Sequence, residues 1–258
     1  MNRTGEYIKS RQNVLSIYFT AGYPNKESTK EVILSLQEAG ADMVEVGIPF
    51  SDPLADGPII QKSGEIALQN GFTVQGLFSD LNDIQSQLKI PLVLMGYFNT
   101  VYAFGIEAFL IHCQQLNIDT IILPDLPVDI YAEKYRDIFH KYNVTPVFLI
   151  SPQTSDDRIS VIEALSNAFI YVVSDNSITG KSSELSEGQL AYFKRIKGMS
   201  FKSPLLLGFG ISDRDSFTIA CDHFNGAIIG SAFIKMLEAS SNLRNSIHTY
   251  IASIRPVK

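Results

Sequence analysis

Three carboxylates crowd one short stretch of this chain. Glu45 sits inside the apolar run Met43-Val44-Glu45-Val46. Asp52 and Asp56 follow in Ser51-Asp52-Pro53-Leu54-Ala55-Asp56-Gly57-Pro58, beyond a break at Gly47-Ile48-Pro49. A strand turns successive side chains to opposite faces, so Glu45 points away from Val44 and Val46. If both faces of that strand are covered, as in a parallel sheet, the carboxyl is buried. Burial disfavours the charged form and lifts the pKa toward neutrality. An acid of that kind at a strand end, close to ionised acids on the adjoining loop, is a general acid/base arrangement in which two carboxyls take different roles. The plainer reading makes Glu45 a buried acid satisfied by backbone donors, with Asp52 and Asp56 as ordinary turn residues.

Further candidate groups fall where other apolar runs end. Tyr18 lies in Ile17-Tyr18-Phe19-Thr20 and either walls a pocket for a flat substrate or fills the core. Tyr97 and Asn99 lie in Gly96-Tyr97-Phe98-Asn99, where two aromatics and an amide suit a ring with a polar edge, or a partner contact. Asp125 stands between Pro124 and Pro127 in Pro124-Asp125-Leu126-Pro127, held for a site or starting a turn. Tyr171 shares a strand face with Val173. Glycines cluster after the last three runs, at Thr179-Gly180, at Gly208-Phe209-Gly210 and at Gly230-Ser231. Without Cβ, such backbone lets amides approach an anion closely, which suits a phosphate.

The elements that must position these groups alternate. Apolar runs over 14–20, 43–47, 91–97, 120–123, 145–150, 169–174, 204–208 and 226–230 predict eight strands. Helical patterns between and after them cover 26–39, 59–69, 74–88, 106–116, 130–142, 156–166, 188–196, 213–221, 232–237 and 243–254. Eight strands, each followed by a helix, predict a (β/α)8 TIM barrel with extra helices, a parallel eight-stranded barrel occupying 1–258 as a single domain. A doubly wound open sheet is the competing architecture, because periodicity does not report closure; no Gly-x-Gly-x-x-Gly turn follows the first strand. In a barrel all eight strand ends share one rim, so every candidate above converges there. The segment 174–186 is long for a strand-to-helix connection and reads as a lid.

Composition narrows the classes. Of 258 residues 45% are hydrophobic, enough for a sizeable core. A formal net charge of −6 argues against a nucleic-acid surface, though not against a phosphorylated substrate. The polar start and the lack of any long apolar run predict neither a signal segment nor a membrane span, and a cytoplasmic location. Cys113 and Cys221 show no metal or redox spacing and are expected to be free thiols.

The run from Glu45 to Pro58 resembles the signature of the tryptophan synthase alpha subunit family. Thr179-Gly180, Gly208 to Ser212 and Gly226 to Ser231 extend the likeness across essentially the whole chain. The resemblance implies a barrel that cleaves indole-3-glycerol phosphate to indole and glyceraldehyde 3-phosphate. It implies no metal and no cofactor in this chain. It also implies a partner beta subunit that carries pyridoxal phosphate (PLP), in an alpha2beta2 heterotetramer. Carried onto this sequence, it makes Glu45 and Asp56 catalytic, the first as acid then base, the second holding the indole N–H. Tyr18, Tyr97, Tyr171 and Thr179 then line the substrate or close over it. Gly180, Gly208, Phe209, Gly210, Gly230 and Ser231 belong to the phosphate loops, and Asp52, Pro53, Asn99 and Pro127 lie at or near the partner interface. Two departures stand out: Asp175 where many members carry Arg, and Phe169 where some carry Tyr.

Rival functions stay open on the residues alone. A synthase on a related phosphate-binding barrel would want a catalytic Lys in a strand, and the lysines here lie in helices or loops. A non-catalytic partner protein would have no use for Glu45 and Asp56. A free-standing lyase that releases indole is not separable by sequence.

Overall fold

The computed structural model describes residues 1–174 and 185–255. Its strands, in chain order, are β1 (Val14–Thr20), β2 (Met43–Gly47), β3 (Leu92–Met95), β4 (Thr120–Ile122), β5 (Thr145–Ile150), β6 (Ile170–Val173), β7 (Leu205–Gly208) and β8 (Gly226–Ile229). Each pairs in parallel with the next, and β8 returns to β1 through Val14↔Gly226 and Ile17↔Ile229, which closes the barrel and rules out the open sheet. A methyl group on Gly226 would lie 2.1 Å from the Val14 carbonyl oxygen, so this glycine lets the seam close.

The helices are α1 (Arg3–Lys9), α2 (Ser28–Ala39), α3 (Pro58–Gln69), α4 (Val74–Ile84), α5 (Phe98–Phe104), α6 (Ile106–Gln115), α7 (Val128–Ile130), α8 (Arg136–Lys141), α9 (Asp156–Leu165), α10 (Glu187–Lys197), α11 (Arg214–His223), α12 (Ser231–Glu238) and α13 (Leu243–Ile254). The strand side chains divide as the pleat requires. Val44, Val46, Leu94 and Ile121 face the helix layer, while Met43, Val93, Ile122 and Val147 fill the barrel. Because both faces are covered, the strands read as continuous apolar runs rather than alternating ones.

Two helices were not legible in the sequence. The polar N-terminus forms α1, capped by Asn2, whose side chain accepts the Gly5 N–H. Its Ile8 is wholly buried in the barrel interior, and Thr4 donates to Asp119 through both its N–H and its hydroxyl, so α1 plugs the N-terminal end. Residues 98–104 form α5, where the apolar run 91–97 stops as a strand at Met95. Asp125 accepts the Phe98 N–H at 2.8 Å and caps α5 from the β4 loop. The predicted helix 74–88 ends early at Ile84, then tightens into a 3-10 turn over Gln85–Gln87.

The chain end fixes the strands that matter most. Arg255 donates to Asp42 Oδ2 at 2.7 Å and to the carbonyls of Asn13 and Gly40. Asp42 in turn accepts the Leu15 N–H at 2.9 Å. This knot ties the starts of β1 and β2, the strands that carry Ser16, Tyr18 and Glu45. Cys113 is buried, Cys221 half-buried, and both are free.

Candidate active site

Glu45 is fully enclosed, as strand alternation predicts, and points into the barrel beside Tyr18, its register partner on β1. The Ser16 hydroxyl donates to Glu45 Oε1 at 2.9 Å. Oε2 is buried and has no hydrogen-bond partner among the described residues. Burial pushes the carboxyl up to about 8, with the Ser16 bond working in the opposite direction. At neutral pH this group therefore holds its proton and sits close enough to its titration point to give it up.

Tyr18 and Tyr171 flank it on the inner face, both nearly buried. Each exists because a neighbouring strand has a glycine. A Cβ on Gly47 would meet the Tyr18 hydroxyl at 2.2 Å, and one on Gly208 would meet the Tyr171 hydroxyl at 2.1 Å. Gly208, expected in a phosphate loop, thus makes room for Tyr171. Burial first, then the charges of Asp56 and Glu45, hold both phenols well above their ordinary value. Both phenols therefore sense both carboxylates.

Asp56 lies on the loop after β2, between that strand and α3. The Tyr97 hydroxyl donates to Asp56 Oδ2 at 3.1 Å and accepts the Ala55 N–H at 2.8 Å. Gln61, from α3, donates to the Asp56 carbonyl at 2.9 Å, and Phe50 packs on the Tyr97 ring with centroids 5.0 Å apart. Burial raises Asp56 above the ordinary carboxylate range, and the Tyr97 bond partly offsets this. Asp56 remains half-buried where Glu45 is sealed, so the two carboxyls sit in different environments.

The glycine loops sort into distinct roles. Phe209 and Gly210 follow one another at φ 67° and 75°. A bulky residue in the left-handed region costs of order 1–3 kcal/mol and is held there by its surroundings. Here the Ser174 hydroxyl donates to the Phe209 carbonyl at 2.9 Å, and the Phe209 ring meets Tyr171 edge-on. Of the two helices that follow, α11 is capped by Asp213, which accepts the Ser216 N–H. By contrast α12 starts at Gly230 with no side-chain cap. Among the described residues its first N–H groups, from Ser231 on, have no side-chain acceptor, an arrangement that can hold an anion, with the helix dipole behind them. Thr179 and Gly180, and with them Asp175, lie outside the described residues. Phe169 is wholly buried inside the barrel, two residues before Tyr171 and next to Ala168, which packs at α1. It belongs to the plugged end rather than the rim.

At the rim, Asp52, Asn99 and Pro127 are exposed and Pro53 is half-buried. Asp52 and Pro53 come from the loop after β2, Asn99 from the start of α5 after β3, and Pro127 from the loop after β4. Asp125 performs the helix-start role that was one of its two readings. Sequence reasoning missed Ser16 and Gly47. A serine inside a wholly buried strand, two residues before Tyr18 and on the same face, was the signal for the first. Among the described residues no group of three His, Cys, Asp or Glu is placed to hold a metal ion, and no helix is long and apolar enough to cross a membrane.

The family model described as the tryptophan synthase alpha chain matches residues 6–258. The alpha chain of Flavobacterium psychrophilum is 50% identical over 254 residues, spanning 98% of this chain and 100% of that protein. Its counterpart in Flavobacterium johnsoniae is 49% identical over 255 residues, with 99% and 100% covered. Among solved structures, a chain of the tryptophan synthase complex from Pyrococcus furiosus superposes with a TM-score of 0.86 at 31% identity, covering 96% of this chain and 99% of that one.

Proposed function

This chain belongs to the tryptophan synthase alpha chain family, and we propose that its barrel mouth cleaves indole-3-glycerol phosphate to indole and glyceraldehyde 3-phosphate by a retro-aldol reaction. The observation that carries this reading is a sealed Glu45, its carboxyl lifted by burial, with a half-buried Asp56 on the loop that leaves the same strand.

The reaction needs one proton placed and one removed. Glu45 gives its proton to indole C3, which becomes tetrahedral while positive charge develops on the ring nitrogen. Asp56 accepts the indole N–H and stabilises that charge in a site of low polarity. The Glu45 carboxylate then takes the proton of the glycerol hydroxyl as the C–C bond breaks. The bonding electrons return to the indole ring, the hydroxyl carbon becomes the aldehyde, and Glu45 is protonated again. A carboxyl poised near 8 can do both halves near neutral pH. Tyr18 and Tyr171 wall the indole, Tyr97 holds Asp56, and the phosphate rests on the backbone of Gly210, Gly230 and Ser231. Thr179 and Gly180 complete the closure by family likeness.

The partner is a beta chain that carries PLP, while this chain works as one barrel domain, in the cytoplasm, without a cofactor of its own. Leu54 supports a docking face at the rim. It stands 95% exposed between the acidic residues, with Asp52 and Pro53 beside it in sequence, and Tyr102, on α5 with Asn99, is 65% exposed. Large apolar side chains held out to this degree suit a covered surface.

Indole release from indole-3-glycerol phosphate, by the purified chain alone and with its cognate beta chain, tests the reading. Release that rises strongly with the partner is the expected outcome. No release in either condition would discard the lyase, and fast release indifferent to the partner would discard the complex.

A further inference from the structure

We propose that Ser16 is a positioning residue for the proton transfers: its hydroxyl pins Oε1 of Glu45 as an acceptor, so that the transferable proton is carried on Oε2. This rests on the reading of Glu45 as the acid/base group.

The geometry is specific. Ser16 and Glu45 are both fully enclosed, and the hydroxyl-to-Oε1 distance is 2.9 Å. Ser16 is not the register partner of Glu45. It pairs with Met43, and Tyr18 pairs with Glu45, so the hydroxyl reaches diagonally, one pleat toward the rim. β1 is buried along its whole length. An apolar residue would pack at position 16 without needing a partner, whereas a buried hydroxyl needs one. Glu45 Oε1 is the only hydrogen-bond partner the Ser16 side chain has among the described residues.

Ser16 is also the only donor to Glu45 among them. The ionisable groups packed with this carboxyl in the barrel are Tyr18 on β1 and Tyr171 on β6, and both also sense Asp56 on the acidic loop, which Tyr97 holds. None of them donates to it, and Met43 and Val93, its other neighbours in the barrel, are apolar. A hydroxyl has one proton to give. Given to Oε1, it stabilises charge on that oxygen and leaves Oε2, which has no partner among the described residues, as the site from which a proton leaves and to which one returns. The same bond opposes the effect of burial. It keeps the carboxyl from becoming too weak an acid to release its proton within a catalytic cycle.

The test titrates Glu45 directly in the full-length chain, by the NMR shift of ¹³C-labelled glutamate side-chain carboxyls with Glu45→Gln as the assignment control. The pH profile of indole release is measured in parallel. For Ser16→Ala the Glu45 titration should move up by about one pH unit, since a donor to the charged form is lost. Turnover should fall about tenfold with KM within about twofold, and Ser16→Thr should restore both. If Ser16→Ala does not fold, Ser16→Cys, a weak donor, should show a smaller shift in the same direction. A Glu45 titration that stays where it was in Ser16→Ala would overturn the inference, as would a shift that Ser16→Thr leaves uncorrected. Turnover surviving in Glu45→Gln would remove the underlying acid/base reading, while the titration would still report on the Ser16 bond by itself.

Discussion

The Tyr97 hydroxyl stands between Asp56 Oδ2, to which it donates at 3.1 Å, and the Ala55 N–H, which it accepts at 2.8 Å. One side chain from the end of β3 therefore fixes both the position of the Asp56 carboxylate and the backbone of the loop that carries it. A hydroxyl between a donor and an acceptor can do this; a phenyl ring of the same shape cannot.

Tyr97→Phe should accordingly lower turnover about tenfold, in keeping with the ~1–3 kcal/mol of a hydrogen bond to a charged group. Stability should change by only about 1 kcal/mol, because the Phe50 stacking survives. Steady-state indole release and urea unfolding on the same preparation check both halves. Unchanged turnover would detach Tyr97 from Asp56.

Glu45→Gln should abolish turnover and alter how stability depends on pH. The folded carboxyl holds its proton up to about 8, while the unfolded one ionises near 4.3. Between those values the unfolded state binds fewer protons, so native stability falls as pH rises, by up to about 1.4 kcal/mol per unit from this one group. Gln cannot titrate, so the variant should lose that slope and gain relative stability at pH 8. Urea midpoints at pH 5, 6.5 and 8 for both proteins decide it; parallel curves would place the Glu45 titration elsewhere.

A negative charge at position 231 should divide activity from stability. Ser231 is the first residue of α12, whose start has no side-chain cap among the described residues. Ser231→Asp should leave the fold intact or stabilise it by about 0.3–1 kcal/mol, since a carboxylate complements the helix dipole. It should raise KM at least tenfold by occupying the anion site. Gly210→Asp is the less informative variant, because Gly210 sits at φ 75° and any side chain there is strained. A KM unmoved by Ser231→Asp would relocate the phosphate.

Gly208→Ala should destabilise the protein by about 1–3 kcal/mol through overpacking, since the new methyl lands 2.1 Å from the Tyr171 hydroxyl. In a Tyr171→Ala background the same substitution should cost less, which thermal melts of the two single variants and the double variant would register. A neutral Gly208→Ala would mean that Tyr171 has room elsewhere.

Much of this protein follows from local pattern. The strand period of two sends Glu45 inward and Val44 and Val46 outward whatever else the chain does, and eight apolar runs separated by helical ones admit few architectures. The long match from Glu45 to Pro58 named the chemistry. Tertiary structure decided what lies beside each of these groups. Closure rests on Val14 meeting Gly226, more than two hundred residues apart. The partner of Glu45 lies 29 residues away on β1, and the space for Tyr171 is made on β7. The plug formed by α1 and the capping of α5 by Asp125 belong to the same class, because the isolated segments 1–13 and 98–104 carry only weak helical signals. The reason is physical. Side-chain alternation along a strand is set by bonds within it, whereas neighbour, register and seam are set by packing among elements distant in sequence, which no local period records.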